Sequence, residues 1–273
     1  MAASPRIVSL VPSLTELLFD LGLGPYVVGR TGFCIHPREA VRAVPKVGGT
    51  KDVDVAKVRA LAPTHVVVNV DENDRATVDT LREFVGDVIV THPLVVDDNL
   101  ALYRTFGERF GCAARAAALA ARLEEELATT RALAFEPLRV LYLIWKKPWM
   151  TVSSGTYVSA ALREIGLVTV APASPLRYPA LEFGSFGPEH WDAVLLASEP
   201  YRFTEAHARA LRADPALRGR PVALIDGEMT SWYGSRAVAA LGDLREYRRR
   251  FEHTAGLSPR PGTPLASCAG AAS

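Results

Sequence analysis

The stretch "RIVSLVPSLTELLFDLGLGPYVVGR", residues 6–30, predicts the fold class of the chain. It opens with an apolar, β-branched run that ends at Pro12, which is typical of a buried strand. Leucines then recur at helical spacing up to Gly22, so we expect a helix that Ser13 or Thr15 caps and that the glycine ends. "YVVGR" reads as a second short strand. This order of strand, helix and strand predicts an α/β fold with parallel strands.

The same alternation continues along the rest of the chain. "THVVVNV" and "DVIVTH" predict two more strands, separated by helical segments. From about residue 99 to residue 135 there is no strand signal, and an alanine- and leucine-rich sequence predicts one long helix. "LRVLYLIW", "WDAVLLAS" and "RPVALID" then alternate with helices again. We therefore predict two Rossmann-like α/β lobes with mainly parallel sheets, joined by one long backbone helix, with a ligand cleft between the lobes.

The predicted boundaries follow these changes in pattern. The first lobe is expected over residues 1–105, the connecting helix over 106–135 and the second lobe over 136–256. Residues 257–273 are rich in proline, glycine and other small residues, so we expect this tail to be disordered.

Composition excludes some partners. The chain has 273 residues, 31 Lys plus Arg and 30 Asp plus Glu, so no excess positive charge draws it to nucleic acid.

No apolar run is long enough to span a bilayer, and the N-terminus lacks a basic region followed by an apolar stretch. We therefore predict no transmembrane segment, no signal peptide and a cytoplasmic protein, with a periplasmic or cell-surface location as the alternative if a leader was trimmed. Three widely separated cysteines agree with a reducing compartment.

Aromatic and polar side chains collect where the predicted strands end. In open parallel sheets these ends face the ligand, and aromatic rings placed on such loops can stack against a large flat molecule. Trp191, just before a strand, is instead expected in the core. The predicted ligand-binding residues are Phe33, His36, Lys51, Glu72, Asn73, Trp145, Trp149, Tyr157, Tyr178, Tyr201, Trp232, Tyr233 and Arg236.

Cys34 and His36 allow two alternatives of a different class. Together with His92 or Glu72 they could ligate a transition metal directly, because thiolate, imidazole and carboxylate are common ligands. Cys34 could also be an enzyme nucleophile with His36 or His92 as its base. The chain has no "GxSxG", Walker loop, "HExxH" or dinucleotide fingerprint. We therefore predict a protein that is not an enzyme and requires no cofactor.

Several segments resemble a known family. "RIVSLVPSLTELLFDLGLGPYVVG", "VGGTKDVDVAKVRALAPTHVVVN", "SSGTYVSAALREIGLVTV", "HWDAVLLASEPY" and "DGEMTSWYGSR" resemble the class III substrate-binding proteins of ABC importers. That family includes binders of cobalamin, ferric siderophores and haem, and members described as helical-backbone metal receptors. The resemblance covers nearly all of residues 5–250. It implies two α/β lobes joined by a single long helix, with the ligand between them.

The resemblance also implies site residues. The segment from Trp145 to Trp149, Trp232 and the loop around Glu72 would border the ligand cleft. "DGEMTSWYGSR" lies where the cobalamin binder has an acidic and a basic residue touching its ligand. Asp226 and Arg236 are the matching residues in this chain.

The family resemblance further implies a membrane partner. Importer-coupled members dock on an ABC permease through one exposed glutamate on each lobe. Glu164 matches the glutamate of the second lobe, whereas Pro45 stands near the first-lobe position and is not acidic. The permease is therefore an expected but weakened partner.

The predicted function is reversible binding of a metal chelate in the cleft, with a corrinoid such as cobalamin placed first. A ferric siderophore or haem is the alternative within the same fold, and a bare transition metal or an enzyme using Cys34 and His36 is the alternative outside it. Lobe motion is expected to be limited, because a long connecting helix is stiffer than flexible hinge strands.

Overall fold

The first lobe is built on a four-stranded sheet in which every pairing is parallel. The computed structural model describes residues 4–255, and the strand order in this sheet is β2-β1-β3-β4. The two central strands are almost wholly buried, which explains why their sequences read as continuous apolar runs. The strands are β1 (Ile7–Ser9), β2 (Val27–Arg30), β3 (His65–Asn69) and β4 (Asp87–Thr91).

Four helices accompany this sheet. The first helix begins at Pro12, with Val11 as its N-cap, and not at the predicted caps Ser13 or Thr15, which lie inside the helix. Proline suits the first turn because its missing N–H would have no partner there and its φ is already helical. The helices are α1 (Pro12–Asp20), α2 (Arg38–Val41), α3 (Val55–Ala60) and α4 (Arg75–Arg82).

Two helices follow the last strand of the first sheet and precede the second sheet in the chain. Gly111, with φ +67°, makes the turn between them, and Gly107 lies so close to Ala116 that a Cβ there would stand 2.7 Å from the alanine Cβ. The element expected over 106–135 is thus the end of one helix, a turn and a longer helix that buries its regularly spaced leucines. The helices are α5 (Asp98–Arg109) and α6 (Ala113–Ala132).

The second lobe contains a six-stranded sheet with a mixed edge. The strand order is β10-β9-β5-β6-β8. β6 and β7 both pair with the same edge of β5, β7 along its first half and β6 along its second half. β5, β7, β9 and β10 are parallel, whereas β6 and β8 are antiparallel additions. The strands are β5 (Leu138–Trp145), β6 (Trp149–Thr151), β7 (Leu167–Thr169), β8 (Ala180–Leu181), β9 (Ala193–Ala197) and β10 (Val222–Ile225).

The last helix connects the lobes as well as ending the described chain. It packs along α6 and reaches α1 of the first lobe. The lobe boundaries at 105, 135 and 256 stay predictions, and the tail over 257–273 lies outside the described residues. The helices of the second lobe are α7 (Tyr157–Glu164), α8 (Glu205–Arg212), α9 (Gly227–Ser231) and α10 (Arg236–Ala255).

Among residues 4–255, none of the helices combines the length and the apolar character that crossing a bilayer requires.

Candidate ligand-binding cleft

Loops at the carboxyl ends of the strands of both lobes meet one another, as expected for a cleft between parallel sheets. We call the hydrogen bonds and ion pairs that join the two lobes there the seam. The seam has four parts, which centre on Arg236, Glu72, Arg177 and Asn99.

Arg236, at the start of α10, links carboxylates of both lobes. Its guanidinium donates from Nε and Nη2 to both oxygens of Glu16 on α1, at 2.9 and 2.8 Å. Its Nη1 lies 3.2 Å from Glu228, which also contacts His36 Nε2 at 3.1 Å. A bidentate arginine fixes geometry as well as charge, so this chain of four side chains ties α1 and the loop after β2 to the second lobe. Burial raises the pKa of Glu16 despite the neighbouring Arg236.

Glu72 and Tyr233 form the second part of the seam. The Tyr233 hydroxyl donates to Glu72 Oε1 at 2.7 Å. Burial raises the pKa of Glu72 to about 7; this hydrogen bond opposes the shift, and the carboxylates of Glu199 and Asp71 add to it. Glu72 therefore takes up a proton at a higher pH than an exposed glutamate does.

Glu199, after β9, is held by neutral donors. It accepts hydrogen bonds from Trp232 Nε1 at 2.7 Å and from the Ser231 hydroxyl at 3.0 Å. Burial raises its pKa as well. Trp232 is itself enclosed, with the Arg236 guanidinium 4.7 Å above its ring and the edge of His36 5.4 Å away. Trp232 thus makes a hydrogen bond within the second lobe and packs against His36 of the first lobe, rather than presenting an open face.

Arg177 joins the loop before β8 to the loops after β3 and β4. Its Nη2 lies 3.1 Å from Asp71, and its Nη1 donates to His92 Nε2 at 3.0 Å. Because a guanidinium only donates, Nε2 of His92 is the acceptor here, which places the proton of a neutral ring on Nδ1.

Asn99, on α5, anchors the deepest part of the seam. Its side chain receives a hydrogen bond from the Gly234 N–H at 2.6 Å and donates to the Tyr157 hydroxyl at 3.1 Å. Tyr103, one turn further along α5, donates to the Gly234 carbonyl at 2.8 Å. The side chains of Asn99, Tyr103 and Tyr157 are buried, and Gly234 takes part through its buried backbone. This part of the seam therefore joins the lobes away from solvent.

Three aromatic side chains at the strand ends keep open faces. Trp145, the last residue of β5, is 41% exposed and meets the edge of Tyr201 at 5.5 Å between ring centroids. Phe33 and Tyr178 are 62% and 36% exposed. Large rings left in contact with water at the mouth of a cleft are the groups that a flat ligand can cover.

Four other predicted ligand residues make contacts within the protein. Trp149 lies on β6 and is partly buried, with its ring between Phe183 and Phe203 against the second-lobe core. Asn73 is buried, and its side-chain amide donates hydrogen bonds to the carbonyls of Leu10 and Thr50. The remaining two are Asp226, which caps α9 at the Glu228 N–H, and Lys51, which contacts Asp74 and the Asp71 carbonyl.

Cys34 and His36 do not come together at a metal site. The Cys34 thiol is buried and receives a hydrogen bond from Thr15 at 3.0 Å and shares one with Thr31 at 3.1 Å, whereas His36 contacts Glu228 of the other lobe. Burial raises the pKa of the thiol, so the metal-binding thiolate is disfavoured. Within residues 4–255, no group of three or more His, Cys, Asp or Glu side chains is arranged to hold a metal ion.

Glu164, the expected permease contact, forms an ion pair within the protein. Both of its oxygens accept from Arg131 on α6, at 2.8 and 2.7 Å, and the same guanidinium contacts Asp97 of the first lobe at 2.6 Å. A permease arginine would compete with Arg131 for the Glu164 carboxylate, whose oxygens can each accept more than one hydrogen bond. The docking role of Glu164 stays a prediction.

Sequence reasoning missed residues that complete the seam. Glu16 and Asn99 lie on amphipathic helices, where a polar side chain ordinarily faces water. Asp71 and Arg177 lie in loops rich in charged residues and proline. In each of these cases the partner belongs to the other lobe, so no local pattern could have shown the pairing.

Known proteins share this architecture. The periplasmic binding protein family matches residues 7–215. A vitamin B12-binding protein of Vibrio cholerae serotype O1 is 23% identical over 208 residues, which cover 75% of this chain and 72% of the relative. The solved structure of the periplasmic vitamin B12 binding protein BtuF of Vibrio cholerae has a TM-score of 0.77 at 18% identity, covering 90% of this chain and 97% of that one. The periplasmic heme-binding protein RhuT of Roseiflexus sp. RS-1, in its apo form, has a TM-score of 0.77 at 25% identity, covering 91% and 99%.

The chain belongs to the periplasmic binding protein family, since the match extends over most of its length. The predicted family, the predicted α/β architecture and the general class of solute-binding protein are thereby confirmed. The predicted cytoplasmic location is wrong. The family and both solved relatives are periplasmic proteins, which points to a location outside the cytoplasm.

Proposed function

We propose that this protein reversibly binds a cobalt corrinoid of the cobalamin type in the cleft between its lobes. The observation that carries the proposal is the open face of Trp145, which stands at the end of the central strand β5 with Tyr201 against its edge. Phe33, at the end of a first-lobe strand, offers a second apolar face. Stacking on rings from two sides suits a broad, flat macrocycle. Vitamin B12-binding proteins among the relatives support the same ligand.

The charges of the cleft favour a corrinoid over haem. Within residues 4–255, Glu72 and Glu199 come from opposite lobes and form no ion pair, and the charge of Glu199 raises the pKa of Glu72. Haem carries carboxylates, which the ionised form of either glutamate would repel. A cobalamin-type corrinoid carries amide groups, whose N–H groups can donate to the same glutamates. Like-charge contacts discriminate strongly between ligands of similar shape.

Haem is the second candidate. The observation that favours it is the likeness to the heme-binding protein RhuT, which is 25% identical to this chain. The two ligands have similar flat shapes, so only a direct comparison of affinities separates them. A ferric siderophore is a third ligand to include in that comparison.

Equilibrium dialysis with cyanocobalamin, haemin and a ferric siderophore tests the proposal. We expect saturable binding of cyanocobalamin at micromolar concentrations or below and weaker binding of the other two. Trp145→Ala should weaken cyanocobalamin binding by about 10- to 100-fold, which is the usual effect of removing an aromatic anchor. The visible absorption of the corrinoid gives the bound fraction without relying on tryptophan fluorescence.

Tyr26→Ala is the matched control. Tyr26 is 38% exposed, but it precedes β2 and therefore lies at the opposite end of the sheet from the cleft. Its removal should leave the affinity unchanged. Tighter binding of haemin than of cyanocobalamin, or equal effects of the two substitutions, would contradict the corrinoid proposal.

Binding without a chemical reaction is part of the proposal. Cys34 was the one candidate nucleophile, and its hydrogen-bond partners are the hydroxyls of Thr15 and Thr31 and the Ser9 carbonyl, with neither His36 nor His92 among them. A buried, protonated thiol without a base is unsuited to nucleophilic attack. The ligand is the cargo of the protein, and no resident cofactor is needed.

We propose an ABC permease as the partner that receives the ligand, in keeping with the family. On the second lobe, Glu164 would dock in competition with Arg131, which donates to both of its oxygens. On the first lobe, the exposed Pro45 supplies no charge.

A further inference from the structure

The first lobe contains a pocket whose lining is strongly cationic. It has a volume of about 310 Å³ and lies between the loop after β2, the short helix α2 and Lys46. Arg30, Arg38, Arg42 and Lys46 make up half of its lining residues. None of the three aromatic residues with open faces in the cleft lines this pocket, although Gly32, Cys34 and Ile35 of its lining belong to the loop that carries Phe33.

Arg30 provides a buried charge at this pocket. The residue is only 5% exposed, and it ends β2. Its Nε donates to the Val41 carbonyl at 2.9 Å and its Nη1 to the Thr31 carbonyl at 3.0 Å, so the guanidinium is held in place by neutral groups. In the part of the chain that the structure describes, no carboxylate forms an ion pair with Arg30. A buried cation without a counter-ion is costly, and an anion in the pocket would remove that cost.

The other three cations surround the same space and are exposed. Arg38 and Arg42 stand four residues apart, one helical turn, and Lys46 follows on the next segment. Within residues 4–255, the one carboxylate paired with any of them is Glu39, 3.1 Å from Arg42 in a surface ion pair that solvent weakens. Across the described residues, Arg38 and Lys46 form no ion pair. Four cations and one carboxylate leave a pronounced positive excess.

We propose that this pocket binds a doubly charged tetrahedral oxyanion of the phosphate type, either free or as the phosphoryl group of a larger molecule. Guanidinium groups present paired N–H donors that match two oxygens of such an ion, and an ammonium adds a third point of attraction. The buried Arg30 supplies a fixed donor, and the exposed residues supply adjustable ones. The site shares the loop after β2 with the cleft, but the proposal does not depend on which ligand the cleft binds.

Titration calorimetry on the full chain at low ionic strength tests the site. We expect inorganic phosphate to bind with a dissociation constant below about 1 mM and to be displaced by added sodium chloride. Arg38→Ala and Lys46→Ala should each weaken binding by about tenfold, the usual effect of losing a charge-assisted contact. Both residues are exposed, so neither variant is expected to unfold. A parallel titration with glycerol phosphate distinguishes free phosphate from a phosphoryl group. Tighter binding of the ester than of inorganic phosphate indicates that the natural ligand is a larger, phosphoryl-bearing molecule.

Arg104→Ala is the control, because Arg104 is an exposed arginine on α5 that forms no ion pair among the described residues. Phosphate affinity should be unchanged in this variant. The proposal is overturned if phosphate and glycerol phosphate give no saturable heat, or if Arg104→Ala weakens binding as much as Arg38→Ala. Binding of an acidic peptide in the absence of any phosphate response would also overturn it, in favour of a protein-docking surface.

Discussion

Glu72 is the residue whose protonation links the seam to pH. Its pKa of about 7 in the folded protein exceeds the ordinary value of 4.5, so the folded state binds this proton more tightly than the unfolded state. The contribution of Glu72 to the free energy of unfolding is therefore greatest below about pH 4.5, falls as the pH rises to 7, and is constant above that.

Glu72→Gln should remove this dependence. Glutamine still accepts the hydrogen bond from Tyr233 but does not ionise, so the variant should match the native protein near pH 4 and exceed its free energy of unfolding by about 2–3 kcal/mol at pH 8. Urea denaturation at the two pH values measures the difference. Glu83→Gln, at an exposed glutamate, should leave the native pH dependence unaltered; a difference that does not vary with pH in Glu72→Gln would refute the assignment.

Trp149 and Trp145 should differ in how much each contributes to the free energy of unfolding. Trp149→Ala should lower the free energy of unfolding by about 2–4 kcal/mol, because it leaves a cavity between Phe183 and Phe203. Trp145→Ala removes an exposed ring and should change stability by less than about 0.5 kcal/mol. Urea denaturation of both variants gives the comparison. Comparable losses in the two would show that Trp145 is a packing residue.

These two tryptophans also show how far the sequence predicts the site. Both stand beside lysine or proline where the periodic pattern breaks, and both were therefore assigned to the cleft. The structure separates them, because the chain turns after Trp145 and returns as the antiparallel β6, which carries Trp149 into the core. Which ring keeps an open face depends on that pairing, and local sequence does not encode it.

Among the elements, the turn between α5 and α6 depends on one glycine. Gly111 has φ +67°, and no atom lies within 4 Å of a Cβ placed there. Gly111→Ala should therefore cost about 1 kcal/mol from backbone strain alone. Gly155→Ala is the matched control, because Gly155 has equal space without the positive φ. Thermal unfolding of the two variants distinguishes strain from crowding, and equal midpoints would contradict the prediction.

The long, strongly patterned elements were predictable, whereas the short strands at the edge of the second-lobe sheet were not. β5 was expected over the residues where it occurs, and α7, β9 and β10 agree closely with their segments. β6, β7 and β8 have two or three residues each, too few for an alternating pattern. The connecting segment read as one helix because its alanine and leucine content hides Gly111. Composition reports helical propensity, whereas the turn depends on a single backbone angle.

At the scale of the whole molecule, Arg236 carries the largest share of charge across the seam. Arg236→Ala leaves Glu16 and Glu228 without their common partner and should lower the free energy of unfolding by about 2–3 kcal/mol. Adding Glu16→Gln to this variant should recover part of the loss, because the enclosed carboxylate no longer lacks a cation. Urea denaturation of the native, single and double variants measures the coupling. No recovery in the double variant would mean that the arginine acts through packing on Trp232.

The lobe arrangement itself followed from the order of elements, whereas the seam did not. Alternating strands and helices on either side of a helical segment are sufficient to predict two parallel-stranded lobes. The pairs that hold the lobes at their observed distance join residues far apart in the chain, such as Arg236 with Glu16 and Tyr233 with Glu72. Sequence reasoning identified three of these four residues as cleft residues, but assigned none of them a role in joining the lobes.

The bond from Tyr103 to Gly234 has a consequence for biosynthesis. The tyrosine is completely buried, and its hydroxyl donates to a carbonyl that lies 131 positions further along the chain. At translation rates of about 5–20 residues per second, that carbonyl is made roughly 7–26 seconds after the tyrosine. Until then α5 has no second lobe to pack against, and closure of so distant a contact is slow in itself. Tyr103 therefore has to wait for the ribosome to pass Gly234 before its hydroxyl can reach the acceptor that it has in the folded protein.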